Sequence, residues 1–303
     1  MAHSRRLLLC ACFALCAPFA LVAQQDQCGK REAAPGVLVT AAWLQRHRQD
    51  SNLVILAAER SPASYDSGHV AGARLVSVAE YTVTRNGLLT ELPTDRELQD
   101  LFERLGLGDR GRIVLYGDLL PVSRLFFTLD YLGLGDRVSV LDGGLAAWRE
   151  SNGATATGAP PSVQRSPLRI HPQSSVLVDG AWVEAHLHDS TVSLLDARSP
   201  EEFDGSVLEE GVARAGHIPG AKSLDWTTTV SAGRLRSPAE LRQLLSAAGV
   251  TPGKRVVTYC RVGSRASELY LVARILGVPV QLYDGSMNEW TLRADRPVEK
   301  KPQ

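Results

Sequence analysis

Val256-Val257-Thr258-Tyr259-Cys260-Arg261-Val262-Gly263-Ser264-Arg265 is the stretch that decides the fold. Its first four residues make a short apolar, β-branched run of the kind that forms a buried strand. A Gly/Ser/Arg loop follows, and beyond it the chain turns helical. A cysteine between a strand and such a loop has the surroundings of a thiolate nucleophile. The loop amides and the start of the next helix favour negative charge. Arg261 and Arg265 add two fixed cations, which favours the thiolate further. An inert buried thiol is the alternative, since free cysteine is among the most buried residue types. The Gly/Ser/Arg composition of the loop argues against it, and Gly263 permits a backbone turn that most side chains resist.

The same strand and loop occur a second time, without the cysteine. Val37-Leu38-Val39 with Ala42-Trp43 recurs as Val176-Leu177-Val178 with Ala181-Trp182. Gly68-His69-Val70-Ala71-Gly72-Ala73 recurs as Gly216-His217-Ile218-Pro219-Gly220-Ala221. Ile113-Val114-Leu115-Tyr116 matches the strand before Cys260, and Leu141-Asp142-Gly143-Gly144 with Trp148 matches Tyr283-Asp284-Gly285-Ser286 with Trp290. Ordered landmarks at so long a period imply two whole domains rather than a solenoid. We place them at residues 36–152 and 176–298, joined by a Pro-, Gly- and Ser-rich linker over 153–175. Within each copy, short β-branched runs alternate with amphipathic stretches. Leu98, Leu101, Phe102 and Leu105 fall at helical spacing, as do Leu241, Leu244 and Leu245. The expected fold class is α/β: tandem domains, each a mainly parallel sheet flanked by helices. Ligand sites in such sheets lie off the carboxyl ends of the strands, where Cys260 falls.

Lys+Arg and Asp+Glu number 33 each, so no global field is available to hold nucleic acid or an anionic membrane. Residues 1–23 read as a secretory signal peptide: Arg5-Arg6, an apolar run, and the small Ala23 before Gln24-Gln25. A membrane anchor fits less well, because Pro18 interrupts the run and leaves it short for a span. The mature chain is therefore expected to be periplasmic or secreted, with no stable membrane association and as a monomer. Its cysteines would then be Cys28 and Cys260, which could pair in an oxidising compartment. We favour a free Cys260, because Cys28 lies in a polar leader. The histidines and cysteines show no metal-ligand spacing, no Gly-rich phosphate loop appears, and no cofactor is expected.

Asp196-Ala197-Arg198, the Gly216–Ala221 motif, the Cys260 loop and Tyr283-Asp284-Gly285-Ser286, taken in order, resemble the motifs of the rhodanese family. The whole mature chain resembles the tandem-domain thiosulfate and 3-mercaptopyruvate sulfurtransferases. The resemblance implies that Cys260 attacks the outer sulfur of a small anionic donor and becomes a persulfide. It then passes that sulfur to cyanide or a thiol, with a thioredoxin-like reductant as one candidate acceptor. Arg261, Val262, Gly263, Ser264 and Arg265 would cradle the donor, with Arg198 as a further substrate-side cation. Arg198 is also placed to pair with Asp196. Asp196, Asp284 and Ser286 would support the pocket. His217 would pack and hydrogen-bond, since its counterpart His69 persists where the nucleophile is absent. In the first copy Gly117 replaces Cys260, Asp118 follows it, and Ala57 or Ala58 stands opposite Asp196. That copy is expected to buttress the active half. Glu202 departs from the family, standing where a second substrate arginine is common.

Two rivals remain. A cysteine phosphatase or arsenate reductase would need one more residue than the four between Cys260 and Arg265, a ring wide enough for a tetrahedral oxyanion. An exported persulfide carrier serving a dedicated protein partner would use the same loop, and the sequence does not separate it from the enzyme.

Overall fold

The computed structural model describes residues 36–300. The signal-peptide segment and Cys28 lie outside them, and Cys260 is the one cysteine among the described residues.

Two five-stranded sheets have the same strand order. In the first, Leu38–Val39, Val138–Leu141, Arg112–Gly117, Leu53–Glu59 and Arg74–Ser77 lie side by side. In the second the order is Leu177–Val178, Val280–Tyr283, Arg255–Tyr259, Val192–Asp196 and Lys222–Ser223. Every pairing in both is parallel, as the alternation of strand and helix implied. Parallel strands need crossovers, and the amphipathic stretches supply them. Asp95–Arg104 buries Leu98, Leu101 and Phe102, and Pro238–Ala247 buries Leu241 and Leu245. Both helices start in a capping box, Thr94 with Glu97 and Ser237 with Glu240.

Register resolves which alanine faces which partner. Asp196 pairs with Tyr259, and Ala57 pairs with Tyr116. Ala57 therefore takes the place of Asp196, and Glu59 takes that of Arg198. The first copy carries one extra residue, the exposed Arg60, before its Ser61-Pro62 helix start.

The helices that follow the two central loops, Leu119–Tyr131 and Ser264–Leu276, pack against each other. Both are buried along most of their length, which is why neither shows a clear polar face. Phe127 and Tyr270 meet edge to face at 5.1 Å. The Tyr270 hydroxyl donates to Asp130 Oδ2 at 2.5 Å, and Arg274 pairs with the same carboxylate. Arg124 donates to both oxygens of Asp284, at 2.6 and 2.9 Å. One apolar cluster runs through this seam, including Leu56 and Phe126 from one domain and Leu269 and Leu282 from the other. A large apolar seam of this kind makes the domains one body rather than a hinged pair.

Each domain also sends an antiparallel hairpin over the other's central loop. Val83–Arg85 with Leu88–Glu91 reaches the Cys260 loop, where the Thr90 hydroxyl donates to the Val262 carbonyl. Val230–Ser231 with Arg234–Leu235 reaches Gly117 and Gly143 of the first domain. Residues 160–173 of the linker have no helix or strand, but they are stitched down. Arg165 pairs with Asp100 at 2.8 Å and Glu103 at 2.6 Å, and His171 donates its N–H to the Leu132 carbonyl at 3.0 Å.

Candidate active site

Cys260 follows the strand Arg255–Tyr259 directly, at its carboxyl end. Ser286 ties the two ends of the loop together. Its Oγ accepts from the N–H groups of Cys260 and Gly263, each at 3.1 Å, and donates to the Tyr283 carbonyl at 2.9 Å. Two backbone bonds add to this, from Met287 to the Cys260 carbonyl and from Asn288 to the Arg261 carbonyl. Ser286 reaches its position with φ of 51°, an uncommon conformation for a non-glycine residue that tends to persist where a site needs it. Gly263 has φ of 84°, and a Cβ there would lie 2.3 Å from Asp284 Oδ1. Only glycine fits both demands. The N–H groups of Arg261, Val262, Ser264 and Arg265 find no acceptor among the described residues. Together they form a nest for an anion at the helix start.

All three arginines of the site already have protein partners. Arg198 is buried and held by Asp196 through Nε at 2.9 Å and Nη2 at 2.6 Å, with Nη2 also donating to the Gly216 carbonyl. Burial works against its charge, but Asp196 outweighs that and drives its pKa upward. Arg198 braces the loop after the strand with Asp196 as its anchor, the pairing that the sequence had also allowed. Arg265 is not free either. It meets Glu202 at 2.6 and 2.9 Å and Glu209 at 2.8 Å. Arg261 turns away to the Glu210 carbonyl at 3.0 Å, with Glu209 3.8 Å off. The reason is Glu202, whose carboxylate recruits Arg265 as its partner. Burial pushes Glu202 up, yet the Arg265 hydrogen bonds prevail and hold it at about 2. Glu209 is pushed up to about 7, by burial first and then by Glu202.

Three contributors were missed. Arg124, from the first domain, locks Asp284 next to Gly263 and also donates to the Thr90 carbonyl. Its signal was a lone charge in the apolar run Val122–Leu129, which a buried helix tolerates only with a partner. Thr90 covers the loop from a hairpin whose cue in the sequence was its Asn86-Gly87 turn, with both residues at positive φ. Glu209 lies in an irregular segment whose path the sequence does not reveal. His217 is placed as a packing residue: it stacks on Phe203 at 3.7 Å and bonds the Phe203 carbonyl through Nδ1, as His69 does with Tyr65.

At the matching point of the first domain the backbone itself has changed. Gly117 has φ of 138°, and a Cβ there would lie 2.2 Å from the Ala58 carbonyl oxygen.

Two halves with one strand order, one carrying a cysteine loop and one not, define a class of tandem-domain protein. A family profile described as "Rhodanese-like domain" matches residues 40–151 and 179–293, and the chain belongs to that family. It is 34% identical over 251 residues to the thiosulfate sulfurtransferase of Pseudomonas aeruginosa, covering 81% of this chain and 91% of that protein. It is 32% identical over 282 residues to the sulfur carrier protein TtuD of Thermus thermophilus, covering 88% and 98%. The solved structure of SseA from Escherichia coli, titled for 3-mercaptopyruvate sulfotransferases, superposes with a TM-score of 0.75 at 28% identity, over 83% of this chain and 99% of that one.

Proposed function

We propose that this protein moves sulfane sulfur from thiosulfate, or from 3-mercaptopyruvate, to cyanide or a thiol through a persulfide on Cys260. The observation that carries this is the loop: a thiol at the strand end under four unpartnered amides, with Ser286 fixing both ends. In the first step the thiolate attacks the donor's outer sulfur. With thiosulfate the donor S–S bond breaks and sulfite leaves with the electron pair. With 3-mercaptopyruvate the C–S bond breaks, the pair leaves on carbon as the enolate of pyruvate, and that carbon takes up the thiol's proton. In either case Cys260 holds a persulfide. In the second step the acceptor attacks the terminal sulfur and the thiolate returns. Negative charge stays near the loop in both steps, where preset N–H dipoles stabilise it without rearrangement.

The charge balance beside the loop makes donor capture depend on pH. Arg261, Arg265 and Glu202 carry net positive charge while Glu209 is protonated, and none once it ionises. Since Glu209 sits at about 7, an anionic donor is held better below that value. The KM for thiosulfate is expected to rise as pH passes upward through it, and Glu209→Gln to flatten the dependence. A profile unchanged by Glu209→Gln would refute the role.

Cys260 is fully buried and the Thr90 hydroxyl ties the hairpin to the neighbouring Val262 carbonyl, so we expect movement of that hairpin to govern access to the thiol. Thr90→Ala removes a tie to the Val262 carbonyl and is expected to speed alkylation of Cys260 by iodoacetamide several-fold. An unchanged rate would mean that the hairpin does not govern access.

Incubation with thiosulfate, and separately with 3-mercaptopyruvate, tests the proposal itself. Intact mass should show one sulfur added at Cys260, with sulfite released from thiosulfate. Labelling by neither donor rejects the reading. The similarity to TtuD favours a second one, in which the same persulfide is handed to a dedicated protein acceptor. Persulfide formation in a single turnover, without steady-state thiocyanate production, would select it.

A further inference from the structure

We propose that the first domain binds a small organic cation, an ammonium or guanidinium group on a short apolar stem, in the cavity that matches the catalytic pocket. That cavity has a volume of about 330 Å³ and lies off the carboxyl ends of the first sheet. Its polar positions invert those of the second domain. Glu59 stands in the place of Arg198, Asp118 follows Gly117 as Arg261 follows Cys260, and Val122 stands where Arg265 does. An anion cradle has become an acidic one.

Glu59 is the deciding group. It is only 8% exposed, it faces the cavity, and its carboxylate has no hydrogen-bond partner among the described residues. A carboxylate so largely withdrawn from bulk water depends on what fills the cavity to balance its charge. Burial first, and then Asp118, push Glu59 up to about 7, the mark of a carboxyl lacking a cation. The side chains of Asp118 and Asp142, both lining the same cavity, also lack partners among the described residues. In the second domain the counterpart of Asp142 is Asp284, which has Arg124; the position facing Asp142 by symmetry holds Ser267. The one guanidinium at the rim, Arg234, is taken by Glu150.

The rest of the lining selects among cations. Among the described residues no three His, Cys, Asp or Glu side chains converge to hold a metal ion. Leu38, Val122, Val140 and Leu145 make much of the wall apolar, which suits an organic stem. A neighbouring cavity shares Gly117, Asp118 and Gly233 and has the partly buried Trp226 in its lining.

Isothermal titration of the full chain with n-pentylammonium and with n-butylguanidinium is the test, with pentan-1-ol as the uncharged control. One or both cations are expected to bind with Kd of about 1 mM or tighter, and pentan-1-ol more weakly. Whichever cation binds better identifies the head group. Glu59→Gln, which keeps shape, and Asp118→Asn should each weaken binding about tenfold or more. Thiosulfate labelling of Cys260 should be unchanged in both variants, so failure here and failure of the sulfurtransferase reading are separable. No binding of either cation, equal binding of pentan-1-ol, or full affinity in both variants would overturn the proposal.

Discussion

Cys260→Ser is expected to abolish sulfur transfer, lowering kcat/KM by about 10⁴ or more while leaving the fold intact. Serine is close in size and fills the same buried space. Its hydroxyl is far less acidic than a thiol, and it cannot hold a transferable sulfur in a disulfide-like bond. No second thiol among the described residues can take over, since Gly117 occupies the matching position. The loop bonds from Ser286 engage backbone N–H groups, so they survive the change. Thiosulfate should still bind, and no sulfur should appear on the variant by intact mass. Retained turnover above about a hundredth of the parent rate would place the chemistry elsewhere.

Arg124→Ala is expected to produce the largest loss of stability, about 3–5 kcal/mol by urea unfolding. Arg124 is buried, and its side chain holds Asp284 through two hydrogen bonds. Removing it leaves an uncompensated carboxylate under the seam, the costly way to break a buried pair. The double change Arg124→Met with Asp284→Asn removes the charge on both sides and should recover much of the loss. Activity should fall as well, because Asp284 abuts Gly263 and Arg124 also holds the Thr90 carbonyl. A single variant within about 1 kcal/mol of the parent, or a double variant no better, would show that the pair is not the seam's lock.

The features that were legible in the sequence are those written locally. The strand before Cys260, the Gly263 turn and the matched landmarks of the two halves each rest on a few consecutive residues. Composition and periodicity sufficed for parallel sheets covered by helices. Partner choice was not legible. Arg265 and Glu202 are 63 residues apart, and Arg124 and Asp284 are 160 apart. A sequence displays the charge of an arginine but not the carboxylate it will meet, so three guanidiniums read as donor ligands were found engaged by carboxylates or carbonyls. The choice between Ala57 and Ala58 stayed open for a related reason. One inserted residue, Arg60, shifts the comparison, and only strand register shows where the shift is absorbed.

Gly117 has a consequence for the duplication. A single codon change could write cysteine into the first half, but its side chain would collide with the Ala58 carbonyl and demand an unfavourable backbone angle. The loop would have to be rebuilt before a thiol there could be useful, so small steps from the present sequence do not lead to two active halves. The cost of a second nucleophile is a new backbone rather than a new side chain.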